Sequence, residues 1–167
     1  MNNIKQKTCA MLDRLGIGYA KLEHEAAPTI EACAEIEREL GVLICKNLFL
    51  CNRQQTDFYL LLMPGDKPFK TKDLSKQLGV ARLSFASGEQ MQELLCTAPG
   101  SLSVLSLAYD TQNRVQLVID REIAQNEALG CHPCDNTASL NVKMQDILNV
   151  FLPEVHHTPA FVELKRE

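Results

Sequence analysis

Apolar positions in this chain recur at two periods, one near 3.6 and one near 2, and the switches between them divide it into elements. Ile4, Cys9, Leu12 and Leu15 fall partly on one helical face, so residues 2–15 are expected to form a helix that Gly16 stops. Residues 19–24 alternate as a short strand. A second helix is expected to open at Pro28-Thr29, with Thr29 as N-cap, Glu31 and Glu35 favouring the early turns, and Gly41 at its end. Residues 43–51 and 58–63 read as strands joined by the polar turn 52–56.

Thr71 can cap a short helix that Gly79 terminates, and residues 81–85 read as another strand. Ser87-Gly88-Glu89-Gln90 has the spacing of a capping box, which predicts a helix through Leu95. Pro99-Gly100 makes a turn. Residues 102–107 and 115–120 are expected to form a strand pair around 110–113. A short helix, a loop, a strand over 138–142, a helix over 143–151 and a last strand over 162–164 complete the pattern. Strands that follow one another directly, mixed with helices, imply an α+β fold with a mixed sheet rather than a regular doubly wound one.

The chain's 167 residues suit one domain with a sizeable core. No apolar run is long enough to span a bilayer, and the first sixteen residues lack the apolar core of a signal peptide, so a cytoplasmic location with no membrane partner is expected. Seven cysteines cannot all pair internally and are scattered through the elements, which fits reduced thiols. A net charge of -4 argues against a dedicated duplex-binding domain, though not against contact with one end of a nucleic acid. Lys67, Lys70, Lys72, Lys76 and Arg82 lie close together in sequence. They read either as a solvated helix face or as a patch that touches phosphate.

The richest chemistry lies in Gly130-Cys131-His132-Pro133-Cys134-Asp135-Asn136-Thr137-Ala138-Ser139. Gly130 permits close approach of a ligand or an unusual backbone angle, Pro133 fixes a turn, and Asn136 and Thr137 supply donors and acceptors around His132. Cys131-x-x-Cys134 lacks the second ligand pair of a structural zinc site and lies too late in the chain for a thioredoxin-like motif, so neither metal nor other cofactor is expected. Lys46 interrupts an apolar strand pattern and should end near something anionic or polar, or else snorkel from a strand edge. Backbone N–H groups at Gly100-Ser101 are a further candidate donor set. Neither a nucleophile elbow nor a P-loop is present.

Cys45-Lys46-Asn47-Leu48-Phe49-Leu50, Arg82-Leu83-Ser84-Phe85-Ala86-Ser87, Pro99-Gly100-Ser101, His132-Pro133 with Asn136-Thr137-Ala138, and His157-Thr158-Pro159 occur in a recognisable order. In this the chain resembles the YbaK/ProX editing-domain family, most closely its free-standing alanyl-tRNA(Pro) deacylases. The resemblance runs from about His24 to the C-terminus. It implies a single editing domain over residues 1–167, with a mixed, partly barrel-like sheet flanked by helices. It also implies hydrolysis of the ester between a wrong amino acid and the terminal adenosine of tRNA(Pro), and prolyl-tRNA synthetase as a possible partner. The family lysine falls on Lys46, its neighbour on Asn47, and the family loop on Gly130, His132 and Pro133. This implies Lys46 and His132 as catalytic residues, Lys46 to bind the terminal phosphate or ribose or to stabilise the oxyanion, with Asn47, Gly100, Ser101, Gly130, Pro133, Asn136 and Thr137 around the substrate. Three positions depart from the family pattern: Cys45 replaces a more polar residue, Cys134 a larger apolar one, and Ser139 a threonine. The first two are expected to alter pocket size. A non-catalytic module of the same fold that binds aminoacyl-tRNA or an amino acid is the alternative reading.

Overall fold

The computed structural model describes residues 3–26 and 30–166, with the side chain of Ile30 excepted. Helix α1 (Ile4–Arg14) buries Ile4, Thr8, Met11 and Leu12, and Gly16 follows it at φ +73°. Strand β1 (Tyr19–Glu23) leads to α2 (Ile30–Leu40), whose expected cap at Thr29 lies outside the described residues. Strands β2 (Lys46–Cys51) and β3 (Phe58–Met63) form an antiparallel pair, and α3 (Thr71–Leu78) and the two-residue β4 (Ser84–Phe85) follow. Thr71 is not the cap of α3. Lys70 occupies that position, and the Thr71 hydroxyl donates instead to the Leu83 carbonyl. Gly79 ends α3 in the left-handed conformation, where a side chain would be strained. Helix α4 (Gly88–Leu95) starts from a complete capping box between Ser87 and Gln90.

The strand expected over 102–107 is a 3₁₀ helix, Val104–Tyr109. Ser103 Oγ accepts the Leu105 N–H, and Ser106 Oγ accepts the Ser103 N–H, which closes a tight turn. Leu102 to Leu107 are all buried, so their polarity pattern carries no period to read. Strand β5 (Val115–Asp120) therefore pairs not with that segment but in parallel with β3 and with β8 (Ala160–Val162). Between β5 and β8 come α5 (Arg121–Ala124), β6 (Ala128–Cys131), β7 (Ala138–Lys143), and a last helix of α6 (Met144–Asp146), a π turn over 147–151 and α7 (Leu152–Glu154).

Two sheets result, a mixed one in the order β4-β2-β3-β5-β8 and an antiparallel one in the order β1-β7-β6. Among the described residues they do not close into a barrel, and a single parallel bridge, Ile44 to Gly130, links them. The larger sheet is covered on both faces. Phe49, Leu60, Leu62, Leu117 and Ile119 face the main core, and Leu50, Leu61, Met63 and Val118 face a second cluster under α3. Burial on both faces explains why these strands read as continuous apolar runs.

Strand β6 lies where sequence reading placed a loop. A glycine in a strand marks a close backbone approach, and here a Cβ on Gly130 would lie 2.7 Å from the Leu43 carbonyl oxygen. The approaching group is the chain's own backbone. Gly130 thus lets the segment that feeds β2 seat against β6, and this contact sets the wall of the cavity described next.

Candidate active site

His132 follows β6 directly and is half-buried. Its Nδ1 lies 2.8 Å from the Ala138 carbonyl oxygen. A carbonyl only accepts, so Nδ1 carries the ring proton and Nε2 holds a lone pair. Among the described residues nothing bonds Nε2. Burial pushes the His132 pKa below its ordinary 6.5, and nearby His24 acts in the same direction, against the Ala138 carbonyl and Asp135.

Ser139, fully buried, bridges two imidazoles. Its Oγ is 2.9 Å from His24 Nε2 and 3.4 Å from His132 Nδ1. His24 Nδ1 donates to the Glu25 carbonyl at 2.7 Å, so His24 Nε2 accepts from the Ser139 hydroxyl. That leaves the serine lone pairs toward the His132 Nδ1–H. The two rings stand edge to face, 6.4 Å between centroids.

These three side chains, with Asn136, Glu37 and Gly100, line a cavity of about 400 Å³. Gly100 has φ +89°, a conformation that strains a side-chain-bearing residue, and the turn it makes sets its backbone beside the Asn136 amide. Glu37 on α2 accepts the Ile44 N–H through Oε2 at 2.8 Å, which fixes its side chain against the wall. A second cavity of about 730 Å³ adjoins the first and shares Cys33, Glu37 and Ile44 with it.

Of the residues expected to form a site, His132, Asn136 and Gly100 meet here, and the rest do not line this cavity. Ser101 is buried, and its N–H is bonded to the Ala98 carbonyl. Pro133 is buried behind the loop. The Thr137 hydroxyl donates to Asp135 at 2.6 Å and accepts from Lys5 at 3.0 Å. The Thr137 hydroxyl, then the Thr137 N–H at 2.8 Å and the Lys5 charge, hold the Asp135 carboxyl below its ordinary range. Asn47 turns back on the Cys45 carbonyl at 3.2 Å.

Lys46 is half-buried and donates from Nζ to the Lys67 carbonyl at 2.7 Å, outside the cavity. Lys67, expected among the phosphate contacts, is only 3% exposed. Its ammonium reaches Asp120 at 2.7 Å, Glu122 at 2.9 Å and the Leu164 carbonyl at 2.8 Å. Burial alone would lower its pKa, but the two carboxylates outweigh that and raise it. Lys70, Lys72 and Lys76 are exposed.

Cys131 and Cys134 are both buried and face the core, and neither lines the cavity. Burial raises both thiols, Cys131 strongly, and pushes Cys45 up to about 12. Cys134 has φ +62°, an uncommon conformation for a side-chain-bearing residue, and its sulfur lies 3.4 Å from Ser106 Oγ. Of the three departures from the family pattern, it is Ser139 that lines this cavity, while Cys45 lines its neighbour. His157 is a structural residue, bonded to Asp110 at 2.9 Å and to the Val155 carbonyl. His24 and Glu37 were not legible as site residues. His24 stands only as the point where the family resemblance begins.

Among the described residues no helix is long and apolar enough to cross a membrane. Residues 24–150 match the family model described as an aminoacyl-tRNA editing domain. The chain is 32% identical over 143 residues to "Prolyl-tRNA editing protein ProX" of Acetoanaerobium sticklandii, covering 86% of this chain and 87% of that one. It is 30% identical over 162 residues to "Prolyl-tRNA synthetase associated domain-containing protein 1" of Danio rerio, covering 96% and 87%. A solved structure described as a candidate trans-editing enzyme for prolyl tRNA synthetase superposes with a TM-score of 0.72 at 15% identity, over 99% of each chain, and so shares the fold. Together with the order of motifs around Lys46 and His132, these matches establish that the chain belongs to the aminoacyl-tRNA editing domain family.

Proposed function

We propose that this protein is a trans-editing deacylase that hydrolyses the ester of mischarged tRNA, with Ala-tRNA(Pro) as its substrate. The observation that carries the reading is His132: a neutral imidazole whose proton is fixed on Nδ1 by the Ala138 carbonyl, with Nε2 unpartnered among the described residues at a cavity of about 400 Å³. Family membership and the names of the similar proteins support the same reaction class.

An aminoacyl ester is already activated, so a positioned water suffices as nucleophile. In this mechanism His132 Nε2 accepts a proton from that water, either directly or through the neighbouring ribose hydroxyl, and gives it to the ribose oxygen as the ester C–O bond breaks. A base so placed contributes about 10²–10⁴-fold. The Asn136 amide donates to the ester carbonyl as it becomes an oxyanion. Gly130, Pro133, Ser101, Asn47 and Thr137 act by holding the walls rather than by touching substrate. Lys46 uses one of its three N–H bonds on the Lys67 carbonyl and keeps two for the ribose or phosphate of the acceptor end. Lys70, Lys72 and Lys76 are the exposed candidates for further phosphate contacts.

Selectivity comes from size. A pocket that fits proline rejects alanine only weakly, since a missing methylene is worth about 1–3 kcal/mol. Rejection of the larger ring is steep only where the wall fits a methyl group and a ring would overlap it. The test is a pair of time courses with Ala-tRNA(Pro) and Pro-tRNA(Pro). Much faster loss of alanine is expected. Equal rates remove size exclusion, and binding without hydrolysis makes the protein a non-catalytic module.

A further inference from the structure

An aminoacyl ester carries a group that the mechanism above leaves without a partner, its α-ammonium. A cation brought into a half-enclosed cavity needs an anion or several acceptors, because leaving it unpaired is costly. Among the described residues lining the His132 cavity, Glu37 is the one carboxylate, and no lysine or arginine lines it. The nearby acids are otherwise disposed. Asp135 is bonded to Thr137. Glu23 pairs with Lys5. Glu25, Glu35 and Glu39 border a shallower neighbouring pocket that shares His24, Ala26 and Ile36 with this cavity, and none of the three lines the cavity itself.

Glu37 is also held in place. It lies in the last half of α2, and its Oε2 accepts the Ile44 N–H at 2.8 Å, across the wall that Gly130 allows to form. Among the described residues its Oε1 makes no hydrogen bond or ion pair. One oxygen therefore fixes the carboxylate while the other stays available, and Glu37 lines both the cavity of His132 and Asn136 and its larger neighbour. A group preset in this way recognises a cation at less entropic cost than a free surface carboxylate.

We propose that Glu37 binds the α-ammonium of the substrate and so makes the site specific for esters of α-amino acids over esters of equal size that lack the charge. The inference rests on the reading that this cavity receives the aminoacyl end. It gives the three polar groups separate tasks: Glu37 holds the ammonium, Asn136 the carbonyl and His132 the water.

The test compares alanyl-tRNA(Pro) with lactyl-tRNA(Pro), in which a hydroxyl replaces the ammonium, for the wild type and for Glu37→Gln. The two esters differ in intrinsic reactivity, but that difference cancels when the ratio of their kcat/KM values is compared between the two proteins. Glutamine can still accept the Ile44 N–H through its carbonyl oxygen, so the wall is kept. The alanyl-to-lactyl ratio is expected to fall by about tenfold to a hundredfold in Glu37→Gln, the range of one charge-assisted bond. An unchanged ratio overturns the proposal. A binding arm separates this outcome from failure of the deacylase reading. Non-hydrolysable 3′-amide-linked alanyl- and lactyl-adenosine are titrated into both proteins. If the wild type hydrolyses neither ester yet prefers the alanyl analogue, and Glu37→Gln does not, the ammonium site stands and the catalytic reading falls. Equal affinity of the wild type for both analogues overturns the ammonium site whatever the hydrolysis result.

Discussion

Two polar clusters of similar size sit within this fold, one around His132 and one around Lys67, and they differ in how completely their hydrogen bonds are used. Around Lys67 the accounting closes: three acceptors for three ammonium hydrogens, with Arg166 also reaching Asp66 and Glu122 at the rim. Around His132 it stays open. His132 Nε2, one oxygen of Glu37 and the Asn136 amide have no partner among the described residues, yet all three border a cavity. A cluster with every bond made contributes to the fold. A cluster held rigid on one side and left unbonded on the other can act on a ligand. Sequence reading offered His132 as a catalytic residue and Lys67 as a phosphate contact or solvated side chain, and the state of their hydrogen bonds sorts them.

The largest effect should come from breaking the closed cluster. Lys67→Met leaves Asp120 buried without its partner, and removing one member of a buried pair costs about 3–5 kcal/mol. Urea unfolding would read this as a lowered midpoint. The double variant Lys67→Met with Asp120→Leu should recover most of the loss. About 1 kcal/mol should remain, because Asp120 also caps α5 through the Glu122 N–H. If the single variant is as stable as wild type, the contrast between the clusters fails. The rim adds a pH dependence. Bonds from Arg166 and then Lys67 hold Glu122 below its ordinary 4.5, so its contribution is whole above that value and fades as pH falls through the lowered pKa.

Breaking the open cluster should do the reverse. His132→Gln is expected to lower kcat/KM about 10²–10³-fold while moving the unfolding midpoint little, because a base is lost and a polar side chain kept. The neutral ring is the active form and its pKa is depressed, so the acid limb of the wild-type profile should lie below pH 6.5. A rate that instead rises as pH drops through that range would assign the work to the imidazolium. His132's stability contribution has the same sign: present above 6.5 and lost as pH falls through the lowered pKa.

Lys46 lies between the two clusters and tests the boundary. Its Nζ is bonded to the backbone of Lys67, yet it stands two residues after Ile44, which lines the cavity. Lys46→Ala should raise KM by about tenfold to a hundredfold, the range for one charged contact, with a smaller change in kcat. A variant with unchanged KM and reduced stability would place Lys46 wholly in the closed cluster.

Much of this fold was legible because local chemistry and burial agreed. Gly16, Gly41 and Gly79 marked helix ends, and the Ser87–Gln90 box marked a start. The segment 102–107 was not legible, since full burial erases the contrast between apolar and polar positions that a period needs. Strand β6 was hidden by Gly130, whose requirement comes from Leu43, far away in sequence. At the site, His132 and Asn136 were visible because they cluster in one segment. Gly100 was visible as a turn glycine in a family motif, whereas His24 and Glu37 reach the same cavity from two other parts of the chain, and spacing cannot report a meeting that the fold creates.

The smallest expected effect concerns Ser139 and asks how much of the rigidity behind His132 the chain of bonds to His24 supplies. The Ala138 carbonyl, at 2.8 Å, already fixes the proton on Nδ1, and the longer Ser139 contact at 3.4 Å adds to it. Ser139→Ala leaves His24 Nε2 without its donor and empties the space between the two rings. The loss is that of one neutral hydrogen bond, about 0.5–1.5 kcal/mol, or roughly threefold to tenfold in rate. Ser139→Thr keeps the hydroxyl and, at a site without exposure, adds a methyl group. Threonine should restore most of the rate that alanine loses. If it fails where alanine succeeds, the site responds to crowding and not to the hydroxyl. If both variants match the wild type in rate and in the position of the acid limb, the carbonyl alone orients His132, and the bridge belongs with the closed cluster as part of the fold.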